Sequence, residues 1–195
     1  DIMASEPKIC RYLDIPLQHI NNDILKSMRR STDKATTLQL LSDFRKKIPD
    51  VALRTTLLVG YPGETKKEFE ELLEFVRNTR FERLGVFTYS AEEGTRAFAL
   101  KDTVSQKEKE RRAEAIMELQ QGISLELNQE KVGKVFRVLI DKEESDYFVG
   151  RTEYDSPEVD NEVFIKKVSR IQTGEFYDVK IISAAEFELY GDLFL

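Results

Sequence analysis

The chain has 195 residues, 41% hydrophobic and 34% charged, with 30 Lys+Arg against 36 Asp+Glu and no Trp. That is length for one large or two small globular domains, and its longest apolar runs, such as Leu57-Leu58-Val59, are far too short to cross a bilayer. Asp1 to Glu6 has neither the basic nor the apolar region of a signal peptide, and a single cysteine, Cys10, excludes an internal disulfide and suits a reducing cytoplasm.

In chain order, Tyr12-Leu13-Asp14-Ile15-Pro16-Leu17 reads as a strand, and Asn21 or Asn22 can cap a helix running to Arg30. A second helix, about Ala35 to Lys47, carries Leu38, Leu41 and Phe44 at helical spacing. Leu53 to Gly60 is a β-type run ending in the turn Gly60-Tyr61-Pro62-Gly63. Thr65 and Glu68 form a capping box for a helix with Phe69, Leu72, Leu73 and Val76 on one face, and Leu84 to Tyr89 is a third strand. This alternation predicts βα units around a parallel sheet. Three strands are too few to close a βα barrel. Sheet edges left open face solvent or a partner, so the chain is expected to be a piece of a larger protein that buries its open edge in a homodimer or a crystal contact.

From Ser105, paired with Glu108 as a second capping box, a long helix is expected to run to about Gln129, with Ala113, Ile116, Leu119, Ile123 and Leu127 as its apolar stripe. Beyond Gly133 the pattern changes to five short strand candidates, Val135–Ile140, Tyr147–Arg151, Val163–Ile165, Phe176–Ile182 and Glu188–Tyr190. Five short strands in so few residues predict a small closed barrel. The charge changes at the same place. Residues 1–127 hold 21 Lys+Arg and 21 Asp+Glu, whereas residues 128–195 hold 9 against 15, so the whole net charge of −6 lies in the last third. Two domains are therefore expected, 1–127 and 128–195.

Three stretches carry the candidate chemistry. They are Asp14-Ile15-Pro16-Leu17-Gln18-His19-Ile20 continuing to Met28-Arg29-Arg30, then Arg54 through Thr65, then Phe87-Thr88-Tyr89-Ser90-Ala91-Glu92-Glu93-Gly94-Thr95. Each falls at the C-terminal end of a strand or in the loop after it, where βα folds build their sites. Alternation along the second puts Arg54, Thr56 and Leu58 on one face, offering a cation, a hydroxyl and an apolar platform such as a nucleoside bearing a carboxylate requires. Gly60 and Gly63 allow close backbone approach, but no Gly-Lys-Ser/Thr follows them, so this is not a nucleoside triphosphate loop. Spacing alone leaves open a second reading, a tight strand-to-helix turn behind a buried strand.

The three stretches together resemble the second half of the radical S-adenosylmethionine (SAM) barrel of the methylthiotransferases, and the resemblance covers nearly the whole chain. It implies an α/β partial radical SAM (TIM-like) barrel followed by a five-stranded, OB-like TRAM barrel. It also implies that Gly60 to Glu64 is a turn beside SAM, that Leu58 is an apolar wall for adenine, and that Arg30 is the arginine of the family's Met-x-Arg. Gln18 and Tyr89 end barrel strands and are expected to face the cavity, and Arg54, Thr56, Gly60, Gly63 and Glu64 complete the candidate SAM-binding set.

Asp14-Ile15-Pro16-Leu17-Gln18-His19-Ile20 and Gly150 through Asp160 are similar to the RimO group. That group methylthiolates the β-carbon of an aspartate in small-subunit ribosomal protein number twelve. The transfer-RNA-modifying members carry Gln-Ser where this chain has Gln18-His19. The charge points the same way, because an RNA-binding domain is expected to be basic. A basic ribosomal protein is thus the expected partner, and transfer RNA and membranes are not. Glu158 and Asp160 are candidate substrate contacts, with a purely turn-forming role equally open.

The family holds one 4Fe–4S cluster through Cys-x-x-x-Cys-x-x-Cys and a second through three further cysteines. Neither set is present here, so the resemblance implies two clusters in a full-length parent, no metal ligand in this chain, and no activity of the chain alone. His19, the sole histidine, is expected to be a structural group beside Gln18, and Cys10 an ordinary free thiol.

Overall fold

The computed structural model describes residues 1–167 and 171–194. They divide into two compact units, Leu13–Gln120 on one side and Asp1–Tyr12 with Gln121–Leu195 on the other. A short helix, α1 (Ile2–Ser5), precedes strand β1 (Tyr12–Asp14). Helices α2 (Asn22–Ser27) and α3 (Lys34–Lys47) lead to strand β2 (Ala52–Val59), helix α4 (Lys66–Thr79) and strand β3 (Arg83–Thr88). A 3₁₀ turn at Arg96–Ala99 leads into the long helix α5 (Gln106–Gln129). Strands β4 (Val135–Glu143), β5 (Tyr147–Arg151), β6 (Glu162–Lys166), β7 (Phe176–Ala184) and β8 (Glu188–Leu193) follow.

In the α/β unit the sheet order is β1-β2-β3, and β2 and β3 run parallel with Leu58 opposite Phe87. The first strand stops at Asp14, shorter than the apolar pattern predicts. Pro16 has no N–H to donate, and pairing resumes only as an isolated parallel bridge between Gln18 and Leu57. Helix α2 begins where Asn21 accepts from the N–H groups of Asp23 and Ile24. It ends at Ser27 rather than Arg30, because Arg29 turns left-handed at φ 58°. Thr65 and Glu68 form the expected capping box at the start of α4. That helix buries Phe69, Leu72, Phe75 and Val76. Leu73, expected on this face, stays half-buried.

The barrel closes in the order β4-β5-β6-β8-β7. All neighbours are antiparallel except β6 and β8, which run parallel, giving the OB-type path. Inward positions such as Val138, Ile140, Val163, Ile165, Val179 and Leu189 alternate with outward polar ones and fill the interior. A Cβ at Gly150 would overlap the carbonyl oxygen of Leu139, so a glycine is what lets β5 lie against the bulge in β4.

Helix α5 departs from its expected apolar stripe. Ile116 and Ile123 are buried, but so are Lys109, Arg112, Gln120, Ser124 and Asn128. These polar side chains donate to backbone. Gln120 reaches the carbonyl of Phe81 at 2.9 Å, and Asn128 those of Ala185 and Glu186 at 3.0 and 3.1 Å. Buried carbonyls need such donors, and no apolar periodicity in the sequence announces them.

Candidate functional site

A cavity of about 500 Å³ opens in the α/β unit where the strands give way to their loops. Gln18, Leu58, Tyr61 and Tyr89 line it from the strand ends. Ser27, Met28, Arg29 and Arg30 line it from the end of α2, and Ser90, Glu92, Thr95, Arg96 and Ala97 from the loop after β3.

Local chemistry sets each lining residue. Gln18 adopts φ 71°, and its backbone donates to Thr56 at 2.9 Å and accepts from Leu58 at 2.7 Å, which holds it at the rim of the sheet. Arg30 donates to the carbonyl of Pro16, tying the end of α2 to the loop after β1. The Tyr89 N–H donates to Val59 at 2.8 Å, so β3 runs one residue past its last ladder pair. Tyr61 and Tyr89 meet edge to face with centroids 5.4 Å apart, and Ile24, Met28, Leu58 and Ala97 pack around them.

The predicted alternation along β2 is observed. Arg54, Thr56 and Leu58 are half-buried, while Thr55, Leu57 and Val59 are fully buried. Of the expected SAM-binding set, Gln18, Arg30, Leu58 and Tyr89 come together around the cavity. Arg54 and Thr56 share the Leu58 face but do not line it, and Arg54 pairs with Asp14 at 2.6 Å. Gly60, Gly63 and Glu64 form the turn that carries Tyr61 and do not line the cavity either.

Glu64 faces inward, with its side chain fully buried. Its carboxylate accepts from the N–H groups of Gly60 at 2.7 Å and Tyr61 at 3.3 Å and from the Arg112 guanidinium at 2.8 Å. Arg112 also donates to the Glu64 carbonyl at 2.9 Å and to Glu108 at 2.9 Å. Burial pushes the Glu64 carboxyl up, against the pull of Arg112 and the two N–H groups. The half-buried Glu108 carboxyl is instead drawn down to about 2 by Arg111 and Arg112.

His19 is buried beside this cluster. Its Nδ1 accepts from the Asn21 N–H at 3.0 Å, and its Nε2, 3.8 Å from Glu64, has no hydrogen-bond partner among the described residues. Burial lowers its pKa to about 4, so the ring is neutral at pH 7.

Lys109 and Arg112 escaped the sequence reading. They lie in the run Lys107-Glu108-Lys109-Glu110-Arg111-Arg112, which reads as a solvated helix face. Only their three-residue spacing, which places both on one face, hinted otherwise. The candidate substrate contacts belong to the barrel unit. There Asp160 accepts from the Tyr12 hydroxyl at 2.7 Å and from the Ser156 N–H at 2.9 Å. Glu158 is exposed at φ 68°.

The cavity suits a nucleoside that carries a carboxylate. Leu58, Met28, Ala97 and two tyrosine rings give flat apolar walls, and Gln18, Ser27, Ser90 and Thr95 give hydrogen-bonding groups. Arg29, Arg30 and Arg96 supply positive charge against the single Glu92. The Tyr89 hydroxyl is buried without a partner among the described residues, a polar group left over after the protein's own bonds are made.

Residues 1–76 match the family model of the radical SAM superfamily, and residues 132–193 that of the TRAM domain. A relative from Christiangramia forsetii, "Ribosomal protein uS12 methylthiotransferase RimO", is 58% identical over 98% of this chain and 43% of its own length. Along nearly its whole length the chain is similar to part of the RimO proteins. The relative of the same name from Flavobacterium johnsoniae is also 58% identical, over 98% of this chain and 44% of its length. That from Chlorobaculum tepidum is 52% identical over 97% and 44%. This chain therefore spans less than half the length of these RimO relatives. Among solved structures, coproporphyrinogen III oxidase (HemN) from Escherichia coli, a radical SAM enzyme, matches 73% of this chain and 41% of its own at 18% identity, with a TM-score of 0.49. The two family-model matches and the strand order together give an α/β portion of a radical SAM barrel followed by a TRAM barrel.

Proposed function

We propose that this chain supplies one wall of the SAM cavity and the TRAM barrel of a methylthiotransferase that modifies the β-carbon of an aspartate in ribosomal protein uS12. The observation that carries the reading is the convergence of Gln18, Arg30, Leu58 and Tyr89, drawn from three separate stretches, around one cavity of nucleoside size. The names of the RimO relatives supply the reaction and the substrate. SAM, when bound with a reduced iron–sulfur cluster, supplies a radical and a methyl group. The residues here hold its adenosine and carboxylate and keep water out of the apolar pocket. Arg54, Thr56, Gly60, Gly63 and Glu64 support that wall rather than touch the ligand.

Two clusters belong to the full-length parent. Such clusters are held by several thiolates, and this chain offers only the exposed Cys10, so the chain alone is inactive. The protein acts in the cytoplasm, and its acidic barrel faces a basic ribosomal protein. Across residues 128–195 the 9 Lys+Arg against 15 Asp+Glu repel an RNA backbone. Glu158 and Asp160 lie in this acidic barrel as the candidate substrate contacts. The edge strands β1 and β3 find cover in the parent or, for the isolated chain, in a homodimer.

The test is mass spectrometry of ribosomal proteins and transfer-RNA nucleosides from cells with and without the parent gene. A methylthio group lost from the uS12 aspartate, with transfer RNA unchanged, is the expected result. A methylthio-adenosine lost instead assigns the protein to the transfer-RNA branch. No change in either leaves a ribosome-docking role without catalysis.

A further inference from the structure

Behind the cavity stands a buried lysine that does not line it. Lys109, in the first turns of α5, is only 4% exposed. Its ammonium donates to the carbonyl of Tyr89 at 3.0 Å and to the Asp102 carboxylate at 2.6 Å, and stands 5.0 Å from the centre of the Tyr89 ring. Its methylene stem lies against Gly60, so closely that a Cβ there would overlap the Lys109 Cγ. Gly60 is left-handed at φ 73° and is the first residue of the turn that presents Tyr61. One side chain thus touches the ends of both strands that carry the paired tyrosines, and Asp102 fixes it from the loop before α5.

We propose that Lys109 is a positioning residue for the SAM cavity, setting the spacing of Tyr61 and Tyr89 by clamping Gly60 with its stem and the Tyr89 carbonyl with its charge. The inference rests on the cavity being the SAM site. Nothing else among the described contacts joins these two strand ends through a side chain that is both buried and charged. A lysine is seldom buried unless it is paired, and Asp102 supplies that pairing here. Lys109 also donates to the backbone of a cavity-lining residue. Displacement of a ligand wall by as little as about 1 Å lowers binding or rate steeply.

The experiment uses the full-length parent with its clusters, and reads the dissociation constant of SAM by equilibrium dialysis alongside the melting temperature. Lys109→Met keeps most of the stem and removes the charge. It is expected to weaken SAM binding about tenfold, and Lys109→Arg, which keeps both donors and stem, to recover most of it. Asp102→Asn is the milder companion should Lys109→Met fail to fold, with an expected loss of about threefold. Leu58→Asp, which puts a charge into the apolar wall, is the control for the site itself. If Leu58→Asp loses SAM while Lys109→Met and Asp102→Asn bind it as tightly as wild type, the role of Lys109 is overturned and the cavity assignment stands. If Leu58→Asp binds SAM normally, the cavity assignment falls and the inference with it.

Discussion

The two units bury different chemistry. The interior of the barrel is built from aliphatic and aromatic side chains such as Val138, Phe148, Ile165 and Leu189. The α/β unit buries His19, Glu64, Arg83, Lys109 and Arg112 as well as its apolar core. Glu64, Lys109 and Arg112 form one group at the turn behind the cavity. Buried charge is costly and contributes little net stability compared with well-packed hydrophobes. Where a fold accepts that cost beside a cavity, the return is a fixed backbone at the ligand. The barrel, with every strand paired on both sides, buries one carboxylate, Asp155, which accepts from the Thr152 hydroxyl at 2.6 Å, and no cation among the described residues.

The largest effect is expected from Arg112→Met. It leaves the Glu64 carboxylate buried with only the Gly60 and Tyr61 N–H groups for partners. Loss of one member of a buried ion pair costs about 4 kcal/mol. Hydrogen exchange at the amides of β2 should speed up accordingly while those of β7 hold their protection. Equal acceleration in both strands would show that the contrast between the units is not energetic.

Leu189→Ala reverses the design. Leu189 is fully buried in the barrel, and its truncation is expected to cost about 3 kcal/mol, now in β7 and not in β2. Slow exchange in β7 after this change would mean that the barrel interior collapses around the lost side chain.

Much of this contrast could be read in the sequence, and the part that could not has one physical source. The βα rhythm, the Thr65–Glu68 capping box, the faces of β2 and the closed barrel all express local periodicity or capping, which neighbouring residues dictate. The cavity residues Gln18, Arg30, Leu58 and Tyr89 were found because they end strands or sit in motifs. Lys109 and Arg112 satisfy carbonyls and a carboxylate from 20 and 48 residues away along the chain. A cation that reaches a distant turn has the same local pattern as one that reaches water. The early end of β1 likewise reflects tertiary pairing, although Pro16 gave partial notice of it, whereas the left-handed Arg29 closes α2 through local bonds from the Arg29 N–H to Lys26 and the Arg30 N–H to Leu25.

The smallest expected effect separates the units by pH. The pKa of His19 falls from 6.5 to about 4 on folding because the ring is buried. The folded state thus binds fewer protons than the unfolded chain throughout that interval. Stability rises with pH there, and the contribution of neutral His19 is lost as pH falls from above 6.5 towards 4. At pH 5.5 the loss is on the order of 1 kcal/mol relative to pH 7.5. The raised pKa of Glu64 acts in the opposite sense, since its proton is favoured by folding, so a single pH series mixes the two. His19→Asn removes the titration and can keep an acceptor for the Asn21 N–H. The difference between the two denaturation series isolates the histidine. Protection of β2 amides should weaken from pH 7.5 to 5.5 in the wild type more than in His19→Asn, and that of β7 amides should respond alike in both. A wild-type series parallel to that of His19→Asn would mean that the ring takes its proton at Nδ1 without cost, although Nδ1 accepts the Asn21 N–H, and that the cluster behind the cavity tolerates charge better than its burial implies.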